Sequence, residues 1–183
     1  MLRTLLRSKL DHRFDLYDQD HDGLVGSTDY AIVADRIAAA FGHAPQSPHA
    51  TAVRTAYEGL WKTLCAATGH PAAKAMGRET FDRAMTLLAL GDGTYEQNLV
   101  PVTVSVFAAA DADGDGALDH AEAVRLVRAF GVPSAVAEDL ATALDENADG
   151  LVTYEELVTA YHDYLTSDDL DRPGNALFGW TIV

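Results

Sequence analysis

The sequence predicts an all-α protein, in which four helix–loop–helix units form two paired halves that pack into a compact body and the second unit is degenerate. Three short acidic clusters, starting at Asp18, Asp111 and Asp145, are each followed by a stretch with helical periodicity. The last two clusters begin 34 residues apart, and similar segments at such a separation indicate a repeated unit.

The helices are predicted from apolar residues that recur at three- and four-residue steps, because this spacing places them on one helical face. Before the first cluster these residues are Leu2, Leu5, Leu6, Leu10, Phe14 and Tyr17. After the three clusters they are Tyr30, Val33 and Ile37, then Ala123, Leu126, Val127 and Phe130, then Leu157, Tyr161, Tyr164 and Leu165. The sequence thus predicts an exiting helix behind every cluster.

Two polar stretches with glycine, at 42–49 and 91–98, indicate connections between helices. We therefore expect a first pair of units over 1–90. A second pair, followed by an apolar C-terminal tail, is expected over 99–183.

One segment of the second half has a pattern that is ambiguous. Val100, Val102, Val104 and Val106 alternate with other residues, as they would in a strand. A helix is nevertheless needed immediately before the cluster at Asp111, and a proline at 101 suits a first helical turn. The segment is predicted to be helical.

Composition and charge narrow the classes of partner and location. The 183 residues are 48% apolar, and 28 acidic side chains against 13 basic ones give a formal charge of −15. Such a charge repels phosphate backbones and anionic lipid headgroups, so we expect neither nucleic acid nor a membrane surface as partner. The sequence has no membrane-spanning run and no signal-peptide pattern at its start, which favours a cytoplasmic protein.

The acidic clusters match the ligand spacing of an EF-hand calcium loop. Calcium takes about six to eight oxygen ligands, which this loop supplies from positions one, three, five, seven, nine and twelve, with glycine at six. The second cluster offers Asp111, Asp113, Asp115, the Ala117 carbonyl, Asp119 and Glu122. The third offers Asp145, Asn147, Asp149, the Leu151 carbonyl, Thr153 and Glu156. Both loops are predicted to bind Ca²⁺.

The first cluster departs from the pattern at its last position. Its ligands would be Asp18, Asp20, Asp22, the Leu24 carbonyl, a water near position nine, and Asp29. Aspartate is one methylene shorter than the usual glutamate, so Asp29 is expected to reach the ion with one oxygen unless the backbone moves inward. Because Mg²⁺ accepts fewer ligands, the hypothesis is weaker Ca²⁺ binding and better tolerance of Mg²⁺ at this site.

Apolar residues at loop position eight predict how the loops pair. Leu118 and Val152 can form a short strand pair with each other, whereas Val25 needs a partner in the first half. Met76 is the best candidate, and it aligns a degenerate loop at 69–80 that has no carboxylate at any ligand position. We predict a second hand that is silent toward calcium and retained for packing; the alternative is an ordinary helix connection.

With three acidic loops, a silent second hand and the tail residues Gly174, Asn175, Leu177, Phe178 and Gly179, the sequence resembles the sarcoplasmic calcium-binding protein family, including its calerythrin-like bacterial members. The resemblance covers nearly the whole chain. It implies that the two halves pack against each other, and it implies a role as a calcium buffer or store.

Two functions remain open at the level of the sequence. A buffer stays closed when it binds calcium, whereas a sensor exposes a surface to a protein target. Few methionines and a tail with Leu177, Phe178, Trp180 and Ile182, expected to cover the apolar cleft, favour a buffer that is a monomer. A protein target is possible but not indicated. No zinc spacing, phosphate loop or catalytic triad is recognisable, so an enzyme is not expected.

Overall fold

Helices make up most of the regular structure in the computed structural model, which describes residues 2–91, 94–169 and 172–180. The helices are α1 Leu2–Tyr17, α2 Ser27–Ala40, α3 Pro48–Thr68, α4 Arg78–Leu90, α5 Thr94–Asn98, α6 Val100–Ala110, α7 His120–Ala129, α8 Ser134–Leu144 and α9 Tyr154–Thr166. The strands are β1 Leu24–Val25, β2 Met76–Gly77, β3 Ala117–Asp119 and β4 Leu151–Thr153. The predicted all-α class is confirmed.

The short strands pair in the predicted way. β1 is antiparallel to β2 with Val25 opposite Met76, and β3 is antiparallel to β4 with Leu118 opposite Val152. All four side chains are buried. Each strand pair therefore ties two neighbouring loops together and inserts an apolar pair into the core, which is how the silent loop supports the first acidic loop.

The valine-rich segment is helical, as predicted. It forms α6, which has a proline in its first turn. Val102 and Val106 are buried on one face of the helix while Val104 is exposed. The alternating valines therefore do not lie on one face of a strand, as their spacing in the sequence would suggest. A further difference from expectation lies upstream, where the connection predicted at 91–98 contains the short helix α5.

Aromatic side chains form the centre of the core. Tyr17 stacks on Tyr30 at 4.5 Å between ring centroids, and Tyr30 lies 5.5 Å from Trp61. In the other half, Phe130 and Tyr161 both contact Phe178, at 5.0 and 5.2 Å. Packing of α3 on α6, α2 on α7 and α1 on α9 connects these two regions, so that the core is continuous.

The C-terminal tail packs onto this core. It forms a short 3₁₀ turn, Pro173–Ala176, after which Leu177, Phe178 and Trp180 are buried. The fourth apolar residue of the predicted plug, Ile182, lies outside the described residues. Within them, the tail excludes water from apolar surface, as expected for a plug.

Helix α1 holds the tail through polar contacts. Trp180 Nε1 donates to Ser8 Oγ at 3.0 Å, and His12 Nε2 lies 2.7 Å from the Phe178 carbonyl oxygen. The guanidinium of Arg13 stacks on the Phe178 ring, 3.8 Å from its centroid. Because these contacts come from one face of α1, that helix and the tail form a single packed unit.

A buried lysine links the same two segments to α9. Lys9 is fully buried and its ammonium donates to the carbonyls of Asp163 and Ser167, at 3.3 and 2.7 Å, and to Asn175 Oδ1 in the tail. Burial lowers the pKa of Lys9 to about 8, although nearby Asp163 and Asp168 favour the charged form. A cation at the C-terminal end of α9 also interacts favourably with the helix dipole.

Gly174 provides a test of how closely the tail approaches α9. A Cβ atom at this position would lie 2.5 Å from the Ala160 carbonyl oxygen and 2.8 Å from Asp163 Cβ. Gly174→Ala should therefore force the tail away and lower the free energy of unfolding by about 1–3 kcal/mol, the usual cost of overpacking.

The matched control is Gly59→Ala in α3, where an added Cβ meets nothing within 4 Å. This variant should gain about 0.5–1 kcal/mol because alanine favours the helix. Both changes are measured by urea denaturation in calcium. Equal stabilities for the two variants would contradict a closely packed tail.

Candidate metal centres

Carboxylates converge in the loop between α1 and α2. Asp18, Asp20 and Asp22 each place one carboxylate oxygen within 4.8 Å of the others. Asp22 N–H donates to Asp18 at 3.1 Å, and Gly23 N–H donates to the other oxygen of Asp18 at 3.0 Å. Backbone donors thus orient the first carboxylate of the loop.

The loop between α6 and α7 has the same organisation. Asp111, Asp113 and Asp115 place carboxylate oxygens within 4.8 Å of one another. Gly116 N–H donates to Asp111 at 3.1 Å, and the φ of this glycine is +92°. The left-handed backbone at position six turns the chain sharply, which is why glycine is required there.

In the loop between α8 and α9 an amide replaces one carboxylate. Asp149 N–H donates to Asp145 at 3.1 Å and to Asn147 Oδ1 at 2.8 Å, and Gly150 N–H donates to Asp145 at 2.8 Å. The first loop makes the same three bonds with Asp20 in place of Asn147, so Asn147 occupies the same place in the turn as an aspartate.

The twelfth residue of each loop closes it in the same manner. Glu122 accepts from the N–H groups of Ala112 and Asp119, at 2.8 and 3.0 Å. Glu156 accepts from those of Glu146 and Thr153, at 3.1 and 2.8 Å. One carboxylate therefore connects the second and ninth positions of a loop and fixes the start of the exiting helix.

Asp29 makes the corresponding two bonds despite its shorter side chain. Its oxygens accept from the N–H groups of Gln19 and Gly26, at 3.2 and 2.8 Å. A Cβ atom on Gly26 would lie 3.2 Å from Ala75 Cβ, in the silent loop. The missing side chain at position nine lets the two loops approach closely, and backbone N–H groups hold both Asp29 oxygens as they hold those of Glu122 and Glu156.

In the second and third acidic loops the residue at position nine is a candidate metal ligand and also caps the exiting helix. Asp119 Oδ1 accepts from Glu122 N–H at 2.8 Å, and Thr153 Oγ1 accepts from Glu156 N–H at 3.2 Å. Both residues are thus N-caps of their exiting helices, with the reciprocal bonds of a capping box. An ion at either loop would share this side chain with the helix terminus.

The three remaining candidate ligands are backbone carbonyls at position seven. Leu24, Ala117 and Leu151 each begin one of the paired strands. Their positions in the loops therefore depend on the strand pairing.

The donor set of these loops consists of oxygen atoms from carboxylates, one amide, a hydroxyl and backbone carbonyls. Such hard donors suit Ca²⁺ or Mg²⁺ and not the softer metals that prefer sulfur or imidazole. The degenerate loop differs, because it is closed by other bonds: Trp61 Nε1 donates to the Ala72 carbonyl at 3.0 Å, and His70 Nε2 lies 3.0 Å from the Lys74 carbonyl oxygen. Its ligand positions carry no carboxylate.

The sequence did not indicate one connection that the structure contains. Gln19, at position two of the first loop, accepts from Arg36 Nη1 at 2.8 Å, and Arg36 Nε donates to the Ala129 carbonyl at 2.7 Å. This bridge joins the first acidic loop to the end of α7. Its Arg36–Ala129 bond joins residues 93 positions apart, which no local pattern reveals.

Comparisons with known proteins agree with this geometry. A family model, that of the EF-hand domain pair, matches residues 104–162. A calcium-binding protein of Streptomyces coelicolor is 31% identical, with a TM-score of 0.78, and the match covers 90% of this chain and 99% of that chain. The chain belongs to the calerythrin-like family of EF-hand calcium-binding proteins.

Two further relatives extend the comparison. Calerythrin of Saccharopolyspora erythraea is 26% identical over 166 residues, which cover 90% of this chain and 94% of calerythrin. The coelenterazine-binding protein of Renilla muelleri is 21% identical and shares the fold, with a TM-score of 0.70. This match covers 97% of this chain and 97% of that protein. Among the described residues of this EF-hand protein, no helix is both long and apolar enough to cross a membrane.

The closing carboxylate at Glu156 gives a test that needs no metal. Glu156→Gln should lower the free energy of unfolding by about 1 kcal/mol in the presence of chelator. Its amide has a single acceptor oxygen, which cannot accept from both Glu146 N–H and Thr153 N–H as the two carboxylate oxygens do. Glu155→Gln, on the exposed neighbour, is the control and should be neutral. Urea denaturation followed by circular dichroism compares them, and equal losses would contradict the structural role of Glu156.

Proposed function

We propose that this EF-hand protein is a cytoplasmic calcium buffer or store that binds three ions and has no catalytic activity. The ligands would come from the three acidic loops. In the first they are Asp18, Asp20, Asp22, Leu24 and Asp29; in the second Asp111, Asp113, Asp115, Ala117, Asp119 and Glu122; in the third Asp145, Asn147, Asp149, Leu151, Thr153 and Glu156. The halves at 1–90 and 99–183 would act within one monomer.

The covered core is the observation that carries the buffer role. Leu177, Phe178 and Trp180 are buried. Phe178 packs on Tyr161 of α9, and Trp180 donates to Ser8 of α1, whereas a sensor would need accessible apolar surface for its target. Lys9, buried between the same elements, holds the tail by hydrogen bonds. Opening the core would cost both this apolar burial and the buried polar contacts.

Electrostatics supports a large effect of the ions on stability. Three divalent ions would add six positive charges and change the formal charge from −15 to −9. Without them the carboxylates that lie within 4.8 Å of one another in the first and second loops repel each other. We therefore expect the chelated protein to be less stable and less ordered than the calcium form.

A sensor is the second candidate. The structure of the Streptomyces coelicolor relative is described as a basis for prokaryotic calcium-mediated regulation. By analogy, calcium would change the surface that this chain presents to a protein target. A dye that fluoresces on apolar surface separates the two roles.

For a buffer, adding calcium to the chelated protein in a magnesium background should lower the dye fluorescence or leave it unchanged, because binding closes the core. Calorimetry on the same samples should give three calcium ions per chain. A rise of fluorescence with calcium would contradict the buffer role, and fewer than three ions would contradict the proposed site count.

The first loop is proposed to bind Ca²⁺ more weakly than the others and to tolerate Mg²⁺ better. Asp29 is one methylene shorter than the glutamate that closes each of the other two acidic loops, whereas a glutamate at this position could reach the ion bidentately. Asp29→Glu should then raise calcium affinity at this site several-fold and lower the competition by magnesium.

The matched control is Glu122→Asp, which makes the opposite change in the second loop and should weaken its calcium binding. Both variants are titrated calorimetrically with calcium, with and without magnesium. Unchanged calcium affinity in Asp29→Glu would contradict the proposal for the first site.

A further inference from the structure

A cleft between the C-terminal ends of α2 and α7 is lined by basic and small side chains. Its volume is ≈ 570 Å³, and the residues that line it are Arg36, Ala39 and Ala40 on α2 and Arg125, Arg128 and Ala129 on α7. No acidic side chain among the described residues lines it. In a chain of formal charge −15, this α2–α7 cleft is a local reversal of charge.

The three arginines of the cleft have no carboxylate partner. Among the described residues, none of them forms an ion pair within 4 Å. Asp35, next to Arg36 in the sequence, instead accepts from Arg54 Nε on α3 at 3.1 Å. Burial lowers the pKa of Arg36, and the groups that oppose this shift are Tyr57 and Tyr17 rather than a carboxylate. The acidic side chains of the protein therefore leave the positive charge of the cleft uncompensated.

The ends of the two helices account for only part of this charge. Arginines near helix C-termini often complement the helix dipole, and Arg36 Nε does donate to the Ala129 carbonyl at 2.7 Å. The Arg128 carbonyl, however, already accepts from the backbone N–H of Gly131 at 3.0 Å. Arg125 and Arg128 are exposed, and within the described part of the chain neither side chain donates a hydrogen bond. Their donors are available to a ligand.

Two of the guanidinium groups are held in place. Arg36 Nη1 donates to Gln19 Oε1 at 2.8 Å. The Arg125 guanidinium lies 5.5 Å from the centroid of the Phe41 ring, just beyond the end of α2. Arg128 follows Arg125 by three residues, so that the two side chains are neighbours on one face of α7. Because positioned side chains lose less entropy when a ligand binds, this arrangement favours capture of an anion.

We propose that the α2–α7 cleft binds the dianionic phosphoryl group of a small molecule, as free phosphate or as a phosphate monoester. Guanidinium groups match phosphoryl oxygens both in charge and in the geometry of paired N–H donors. The other lining residues are alanines, whose short side chains leave room between the arginines. Arg125 and Arg128 donate to the phosphoryl oxygens, and Arg36 contributes its charge.

The acidity of the rest of the chain favours a small anion over a nucleic acid. At physiological ionic strength charges are screened over about 8 Å, so an anion inside the cleft interacts mainly with the three arginines. A polyanion would extend beyond the cleft over acidic surface and be repelled. This site is separate from the metal loops and does not depend on the buffer role.

The probes are inorganic phosphate and phenyl phosphate, titrated into protein that is saturated with calcium and then freed of excess ion by gel filtration. Calorimetry should show saturable binding of one anion per chain, with amide chemical-shift changes confined to the C-terminal halves of α2 and α7. Acetate, a monoanion, should bind much more weakly at the same ionic strength. Tighter binding of phenyl phosphate would assign the site to monoesters, and equal or tighter binding of phosphate would assign it to the free ion.

Arg125→Gln and Arg128→Gln should each weaken phosphate binding about fivefold. Arg128→Lys should retain only part of the affinity, because an ammonium group lacks the paired donors. The matched control is Arg83→Gln, which removes an exposed arginine of α4 outside the cleft and changes the net charge by the same amount. It should leave the affinity nearly unchanged. Urea denaturation verifies that the variants remain folded.

Several outcomes would overturn the proposal. One is absence of saturable binding, and another is equal weakening by Arg83→Gln and Arg128→Gln, which indicates general charge attraction. Chemical-shift changes at the acidic loops would mean that phosphate binds the calcium ions instead. Self-association of the protein that Arg128→Gln abolishes would also overturn it, because an acidic segment of a second copy would then occupy the cleft.

Discussion

Crowding of carboxylates in three short loops is the constraint on which the rest of the structure depends. The first and second loops each place three acidic oxygens within 4.8 Å of one another. In all three loops backbone N–H groups from the turn donate to the first aspartate and partly offset the repulsion. Those donors are in position because glycine turns the chain and because paired strands hold two loops side by side. The helices then project from the loops in directions that bring their apolar faces together.

The silent loop has a place in this scheme although it lacks ligands. Met76 pairs with Val25, and Ala75 approaches Gly26. A first acidic loop without such a neighbour would lack its strand partner and the close contact at position nine. The silent loop has therefore lost its calcium ligands but kept the strand pairing on which the packing of the N-terminal half depends. Trp61 further closes this loop through its indole N–H.

The features that sequence predicted are those with a short period or a fixed spacing. The helical class, the pairing of Val25 with Met76 and the helix over the alternating valines all follow from local patterns and from the needs of a loop. The burial of Lys9 could not be predicted, since lysine is usually exposed and its partners lie more than 150 residues away. Likewise, the sequence did not show that Asp29 accepts the same two backbone bonds as the longer glutamates of the other loops.

The contact between α1 and the C-terminal tail has a consequence for how the chain folds. Lys9 and Ser8 interact with residues 154 to 172 positions further along, so this part of the core assembles after nearly the whole chain is available. Contacts at such separation are slow to form, because a long loop must close before they stabilise anything. During synthesis on the ribosome, part of the apolar surface of the N-terminal half would therefore remain exposed until the last helix and the tail have been made.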